Sequence, residues 1–386
     1  MEGGDTSRGS ARMGEYEVGK KLGIGAFGVV RSCVHTATRQ EYACKTSKDS
    51  RAATTEIAML SRVQGHPNVV RLEAHSHNQG YIHVLLELCH GGDLLEHVES
   101  LRVARSVGKG EAVLSEGEAA EALLAVVLAL SFCHSRGVMH RDVKPENLLL
   151  PRTDSRLCEL KLADFGGAAD IANIKVIEDD SIGTFDYQAP EIHSEVIYNE
   201  TVDVWSLGVV LYFLLLDHLP FEQSAIPHIF QESDFSCNLS LQVENSQPSI
   251  SHHAKDLILN LLQVNPSRRL SLSSILTHPW LCPVLNHALI NYDEYLIKKS
   301  TEGDTNNPEF SFHVELPLLM VPSKLQAKLA VKNQLAKKTR KKLIHQLARP
   351  GLQHQLNLPP LNPSGFLGSI SKFWSYHVTK YLKDSI

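Results

Sequence analysis

The pattern of apolar and polar positions divides the chain into a strand-rich beginning, a helix-rich middle and a polar, basic tail. Short alternating or continuous apolar runs bounded by turn residues predict strands. These runs are Tyr16–Lys21, Glu41–Lys45, His66–Leu72 and Tyr81–Glu87. Apolar residues at helical spacing predict helices over Thr54–Leu60 and Glu116–His134, and a further buried helix that opens at Asp203.

The longest apolar runs indicate buried core helices. Ala122–Leu130 and Leu207–Leu216 are both shorter than the ~20 residues that a membrane span needs. Residues 98–115 contain two glycines and several charged residues, and we expect an inserted surface loop there.

Two further apolar runs predict a small hairpin with chemistry at one end. Leu148–Leu150 and Leu160–Ala163 are separated by a turn cluster of Pro, Asp and Ser. The hairpin would bring Asn147, just before the first run, close to Asp164, just after the second. Two oxygen ligands at one point suit Mg²⁺, which favours a few protein oxygens together with substrate phosphates.

Three other segments carry candidate chemistry. Gly23, Gly25 and Gly28 follow a strand, and no helix pattern opens directly after them, which argues against a dinucleotide-binding turn. Glycines let backbone N–H groups approach phosphates, because no Cβ stands in the way. Glu41–Lys45 is a strand that ends in a lysine, and a solvated strand end is the simple alternative. His140-Arg141-Asp142, which alone would indicate a surface turn, directly precedes the hairpin.

In order and spacing these segments resemble the protein kinases, most closely the calcium/calmodulin-dependent protein kinase group. The resemblance covers residues 16–281. It implies an α+β, bilobal fold with an N-lobe antiparallel sheet and one helix (16–87) and a mainly helical C-lobe (91–281). Residues 1–15 would then be a flexible N-terminus, 282–323 a linker and 324–386 a basic, amphipathic tail.

The resemblance also implies a function and a set of site residues. Asp142 would accept the proton of the substrate hydroxyl, Lys144 would steady the γ-phosphate, and Asn147 and Asp164 would hold Mg²⁺. The implied ATP-binding residues are Leu22, Gly23, Gly25, Gly28, Val30, Ala43, Lys45, Glu56, Glu87, Cys89, Asp93 and Leu149. Lys144 and Thr184 mark the serine/threonine branch, so the expected reaction is transfer of the ATP γ-phosphate to protein Ser/Thr hydroxyls. The alternative is a pseudokinase or nucleotide-binding signalling scaffold.

Three details of this assignment stay open. The interval from Lys45 to its implied partner Glu56 is shorter than usual, which puts the first turns of that helix in doubt. Asp93 has an alternative as a helix N-cap. Glu178-Asp179-Asp180 carries carboxylates where many relatives have a phosphate that neutralises the cation matching Arg141, although a solvated acidic loop explains the run equally.

Composition adds limits on partners and location. The net charge of −5 gives no reason to expect direct nucleic-acid binding, and the 7 cysteines show no disulfide or metal-ligand spacing. With no apolar signal segment at the N-terminus, we expect a cytoplasmic protein, with the nucleus as the alternative.

The tail carries a basic stretch with three open interpretations. Residues 324–349 contain nine Lys/Arg and no Asp or Glu, with leucines among them. The first interpretation is a solvated helix on the acidic kinase body. The second is a calmodulin-binding or autoinhibitory segment, and the third is a signal for a nuclear import receptor. Protein substrates are the other expected partners.

Overall fold

A computed structural model of the chain describes residues 12–13, 15–25, 28–108, 112–173, 183–193, 197–221, 232–246, 248–285 and 287. The strands are β1 (Arg12–Met13), β2 (Tyr16–Gly25), β3 (Gly28–His35), β4 (Glu41–Lys48), β5 (Leu72–Asn78), β6 (Tyr81–Glu87), β7 (Val138–Met139), β8 (Leu148–Leu149), β9 (Lys161–Leu162) and β10 (Ala169–Asp170). The helices are α1 (Arg51–Arg62), α2 (Leu94–Ala104), α3 (Glu116–Ser135), α4 (Thr201–Leu216), α5 (Glu232–Glu244), α6 (His252–Leu261) and α7 (Leu272–Ile275).

The first part of the chain forms one antiparallel sheet and one helix. Among the described residues the strand order is β1-β2-β3-β4-β6-β5, and every neighbouring pair is antiparallel. Helix α1 packs its apolar face on the sheet, where Ala53 and Ile57 contact Ile82 and Val84. Ser50 caps the helix by accepting a hydrogen bond from the Ala53 N–H, so the first turns form as an ordinary helix start.

The second part is built around two buried helices, as the apolar runs predict. Most residues of α3 and α4 are buried, which is why neither shows a one-sided apolar stripe. In the described part of the chain α3 is also long and apolar enough to cross a membrane, but it lies largely buried inside the protein, as core helices do.

Two short strand pairs lie between these helices. β8 pairs with β9 in antiparallel register, with Leu148 opposite Leu162, which confirms the predicted hairpin. β7 pairs with β10, with Met139 opposite Ala169. The first pair places Asn147 beside Asp164, and the second connects the segment before His140 to the segment after Asp164.

The predicted strand at His66–Leu72 is wrong. The Asn68 amide donates to the Cys158 and Leu160 carbonyls at 3.0 and 2.8 Å, and the Val70 N–H donates to the Leu162 carbonyl at 3.0 Å. These bonds tie the segment to the helical part of the chain. The strand therefore begins only at Leu72.

The prediction of a surface loop at residues 98–115 is wrong for the first part of that range. Helix α2 runs to Ala104 and buries Leu94 and Val98 at helical spacing. Residues 105–108 and 112–115, the described residues between this helix and α3, contain no helix or strand, and Arg105 donates to the Val113 carbonyl at 2.7 Å. The tail interpretations fall on residues outside those described, as does the acidic run at 178–180.

Candidate active site

A buried cation joins the sheet, helix α1 and the segment after β9. The Lys45 Nζ donates to Glu56 Oε1 at 2.6 Å and to Asp164 Oδ1 at 2.7 Å, and the Lys45 and Glu56 side chains are each 5% exposed. Lys45 leaves β4 on the side that faces α1, where Glu56 lies in the buried stripe of the helix. The short sequence interval therefore still permits the implied pair.

The charges in this triad determine its protonation. Burial alone would lower the pKa of Lys45, but Asp164 and Glu56 outweigh it and the pKa is raised. For Asp164, burial acts to raise the pKa, and the Lys45 charge reverses the effect, so the pKa lies below its usual value. Burial dominates at Glu56, whose pKa is raised despite Lys45. Asp164 is therefore the carboxylate that stays ionised most readily.

The glycine-bearing hairpin of β2 and β3 lies over the same carboxylate. A Cβ added at Gly25 would stand 3.7 Å from Asp164 Oδ2, and one added at Gly23 would meet nothing within 4 Å. At Gly28 a Cβ would collide with the Thr46 carbonyl at 2.4 Å. The first two glycines therefore leave space near Asp164, whereas Gly28 is required by packing within the sheet.

Asp142 is the centre of a second cluster. Its Oδ1 accepts hydrogen bonds from the Thr184 N–H at 2.8 Å and the Thr184 hydroxyl at 2.9 Å. Its Oδ2 accepts from Asn147 Nδ2 at 2.9 Å and lies 3.3 Å from Lys144 Nζ. Lys144 also donates to the Thr184 hydroxyl at 2.5 Å. The structure thus brings together the predicted Asp142, Lys144 and Asn147.

The fully buried carboxylate of Asp203 holds the backbone that leads to Asp142. Asp203 accepts the N–H groups of His140 and Arg141 at 2.9 and 2.7 Å and the His134 Nε2–H at 2.8 Å. Burial would raise the pKa of Asp203, but the hydrogen bond and charge of His134, together with those of His140, lower it. Arg141 has a positive φ of 66°, so the Asp203 bonds hold a strained conformation beside Asp142.

Two more arginines have defined partners. Arg269 makes a two-bond pair with Glu191 at 2.5 and 2.6 Å. The Arg141 guanidinium is buried and donates to the Gly167 carbonyl at 2.6 Å and to the Tyr198 hydroxyl at 3.0 Å.

The other implied nucleotide-binding residues lie on the sheet, on β8 and on the segment between β6 and α2. In the strand registers Val30 lies opposite Lys45, and Leu149 bridges to Asp93. Asp93 caps α2 by accepting the Glu96 N–H at 2.9 Å, so the N-cap alternative is confirmed and ribose binding stays a prediction. The Cys89 thiol is largely desolvated, which raises its pKa to about 12.

Comparison with known proteins agrees with this geometry. A sequence model of the protein kinase domain matches residues 16–281 of the chain. The chain belongs to the protein kinase family.

The kinase domain is similar to plant serine/threonine kinases. It is 34% identical over 275 residues to calcium-dependent protein kinase 19 of Arabidopsis thaliana, covering 69% of this chain and 47% of the relative. It is 36% identical over 269 residues to the serine/threonine-protein kinase PEPKR2 of the same plant, covering 69% and 53%. Calcium-dependent protein kinase SK5 of Glycine max is 37% identical over 276 residues, covering 69% and 51%. The chain spans about half the length of the curated relatives it matches.

The kinase domain has donors that fit Mg²⁺, which protein kinases use together with ATP. Both N–H groups of the Asn147 amide are directed to Asp142, at its carbonyl and its carboxylate, which leaves the amide oxygen as a ligand. Asp164 adds an ionised carboxylate. Within the described residues no group of three or more His, Cys, Asp or Glu side chains could hold a metal alone. The remaining ligands would come from phosphates and water, which suits Mg²⁺.

Some site residues of the kinase domain carried no sequence signal of their own. His134 lies in an apolar helix, where a lone histidine indicates nothing about a partner 69 residues away. Tyr198 lies three residues before α4 in a stretch without a local pattern, although it contacts Arg141. Only the fold brings these pairs together.

Proposed function

We propose that this chain is a serine/threonine protein kinase that transfers the γ-phosphate of ATP to protein hydroxyls. The observation that carries the proposal is the hydrogen-bonded cluster around Asp142, next to the Lys45–Glu56–Asp164 triad. The residues that the kinase resemblance implies for phosphoryl transfer are all present, and the hydrogen bonds among them support the proposal. The relatives support it, because they are calcium-dependent protein kinases and a serine/threonine-protein kinase.

In this reaction the protein mainly positions groups and neutralises charge. Lys45, held by Glu56, would bind the α- and β-phosphates of ATP. Asp164 and the Asn147 oxygen would hold Mg²⁺, which supplies positive charge to the phosphate oxygens. Asp142 would orient the substrate hydroxyl and accept its proton, and Lys144 would place its charge on the transferred phosphate.

The substrate class that we propose is a Ser/Thr peptide with a modest preference for a basic residue upstream of the target. Burial raises the pKa of Asp93, and the negative charges of Glu96 and Glu146 raise it further, although the Glu96 N–H opposes this. Glu96 and Glu146 are therefore both close enough to repel the Asp93 carboxylate. A lysine or arginine of a peptide would relieve that repulsion.

The test is a substitution at Asp142. The purified chain is incubated with labelled ATP, Mg²⁺ and a Ser/Thr peptide library, in parallel with Asp142→Asn. The variant should bind ATP with unchanged affinity and lose transfer, because the amide cannot accept the hydroxyl proton. Transfer by the variant at the parent rate would contradict the proposal and favour a nucleotide-binding scaffold. In the same library, enrichment of acidic rather than basic upstream residues would overturn the substrate preference.

The cytoplasm stays our proposed location, with the nucleus as the alternative. Every cysteine lies in the described part of the chain and none there is disulfide bonded, which supports a reducing compartment. Imaging of the tagged chain with and without residues 324–349 tests this. Loss of nuclear signal on deletion would support import through that stretch, and an unchanged distribution would exclude it.

A further inference from the structure

Arg62, the last residue of helix α1, makes contacts that have no part in the reaction proposed above. The Arg62 guanidinium donates through Nη1 to Asp170 Oδ2 at 2.8 Å and through Nη2 to the Arg136 carbonyl at 2.6 Å. Nη1 also lies 4.0 Å from the Met59 sulfur, within the same helix. The side chain therefore connects α1 to two different segments of the helical lobe.

Those two segments flank the catalytic residues. Arg136 lies two residues before β7, which leads directly into His140 and the loop that carries Asp142. Asp170 ends β10, which follows Asp164 after a single 3₁₀ turn and pairs with β7. Arg62 thus contacts β10 itself and the backbone two residues before β7.

Together with Glu56, Arg62 holds α1 at two points. Glu56 reaches Asp164 through Lys45, and Arg62 reaches Asp170 directly. Glu56 and Arg62 are six residues apart along the helix, and Asp164 and Asp170 are six residues apart along the segment that they contact. Six residues span about 9 Å of helix, so the two contacts lie at separate places along the axis. One contact alone would let the helix pivot, whereas two restrict both its shift and its rotation.

The close approach of Arg62 depends on a glycine. Gly137 follows the Arg136 carbonyl and has a φ of +70°, which disfavours any residue with a Cβ. A Cβ at Gly137 would stand 2.7 Å from Arg62 Nη2, inside normal contact distance. Gly137 therefore meets two requirements at once, the turn that ends α3 and the space for the guanidinium.

We propose that Arg62 is a positioning residue that keeps α1, and with it Glu56 and Lys45, in the arrangement needed for phosphoryl transfer. The proposal rests on the kinase activity proposed above. Arg62 contacts neither the reacting groups nor a peptide, so its effect should fall on turnover and not on peptide binding.

The experiment compares Arg62→Ala and Arg62→Lys with the matched control Arg51→Ala in the full chain. Arg51 is an exposed arginine in the first turn of the same helix. Arg62→Ala should lower kcat about fivefold with an unchanged KM for peptide, the size of effect expected for a partly exposed ion pair. Arg62→Lys keeps the charge near Asp170 but loses the second bond. Its kcat should therefore lie between the kcat of the parent and that of Arg62→Ala. The control should match the parent.

A second measurement separates this inference from the proposed activity. Hydrogen–deuterium exchange of the nucleotide-free chain should show faster exchange over Ile57–Arg62 in Arg62→Ala, with an unchanged melting temperature. If the parent chain has no kinase activity, the proposed function fails, and the exchange result still decides whether Arg62 holds the helix. Unchanged exchange, or an equal effect of Arg51→Ala, would overturn the inference.

Adding Asp170→Ala tests the contact itself. If Arg62 acts through Asp170, the double variant should be no slower than Arg62→Ala alone. Independent, multiplying effects on kcat would show that the two residues do not act together, and the Asp170 contact would then not be the means of positioning.

Discussion

Replacing Asp203 with Asn tests how the catalytic loop is held. Asp203 is fully buried and accepts three hydrogen bonds, from the backbone N–H groups of His140 and Arg141 and from His134. An amide offers one acceptor oxygen, and its NH₂ group must face at least one of the two backbone donors. The substitution therefore removes the charge and leaves a buried N–H unsatisfied without changing the side-chain size.

The expected cost follows from these contacts. An unsatisfied buried donor costs about 1–3 kcal/mol, and loss of the charge weakens the remaining bonds, each worth about 1.5–3 kcal/mol when charged. We therefore expect a loss of about 3 kcal/mol in the free energy of unfolding at pH 7. Turnover should fall as well, because Arg141 is held at positive φ directly beside Asp142.

Urea unfolding of the parent and variant measures the difference, with Asp256→Asn as the matched control. Asp256 pairs with His278 at 2.9 Å, but its side chain is 52% exposed, so its loss should cost at most ~1 kcal/mol. A loss at Asp203 no larger than at Asp256 would refute the bracing role.

The pH dependence provides a second check. The pKa of Asp203 is lower in the folded state than the ordinary aspartate value of 3.8. The stability that its charge contributes is therefore fully present above about pH 4 and is lost as the pH falls through the folded pKa. The difference between parent and Asp203→Asn should stay constant from pH 8 to 5 and shrink only below that. A difference that already vanishes between pH 7 and 6 would contradict the assignment of this stability to the Asp203 charge.

Three other predictions concern separate features. Lys45→Met should abolish transfer, measured with labelled ATP, and should raise the pKa of Asp164 by removing the cation beside it; a variant with parental turnover would exclude Lys45 from the reaction. If the tail is autoinhibitory, deletion of residues 301–386 should raise activity, and a 324–349 peptide should bind calmodulin only with Ca²⁺; an unchanged rate without binding would favour the packing or import interpretation. Unphosphorylated protein should be active and should lose activity when Asp179 and Asp180 together become Asn; a phosphatase-treated enzyme that is inactive until Ser181 is phosphorylated would contradict this.

Much of the site could be predicted because its residues lie next to regular elements. Asn147 and Asp164 flank two apolar runs, so the register of one hairpin brings them together. The same holds for the glycines, which lie at one end of a strand pair. In these cases local pattern and topology point to the same answer.

Other parts could not be predicted because tertiary contacts outweigh local preference. Val69, Val70 and Leu72 favour a strand by composition, but the hydrogen bonds of Asn68 and Val70 to the β9 region hold the segment before Leu72 out of the sheet. The extent of α2 was not predicted, because charged residues within it and glycines beyond it outweigh the signal of two buried apolar positions one turn apart. His134, Tyr198 and the Arg62 contacts depend on sequence separations of about 60 residues or more, which no local pattern encodes.

The contacts of Asp142 limit where a substrate hydroxyl can be accepted in the proposed reaction. A carboxylate has about four acceptor positions, and hydrogen bonds from Thr184 and Asn147 take three of them. Both Thr184 bonds reach Oδ1, so the remaining position is on Oδ2. Lys144 Nζ lies 3.3 Å from that same oxygen as an ion pair. A substrate hydroxyl that donates to Oδ2 would therefore lie beside the Lys144 charge, which a transferred phosphate would attract. The proposed proton acceptance and charge stabilisation would then occur side by side at one oxygen, which no sequence motif reveals.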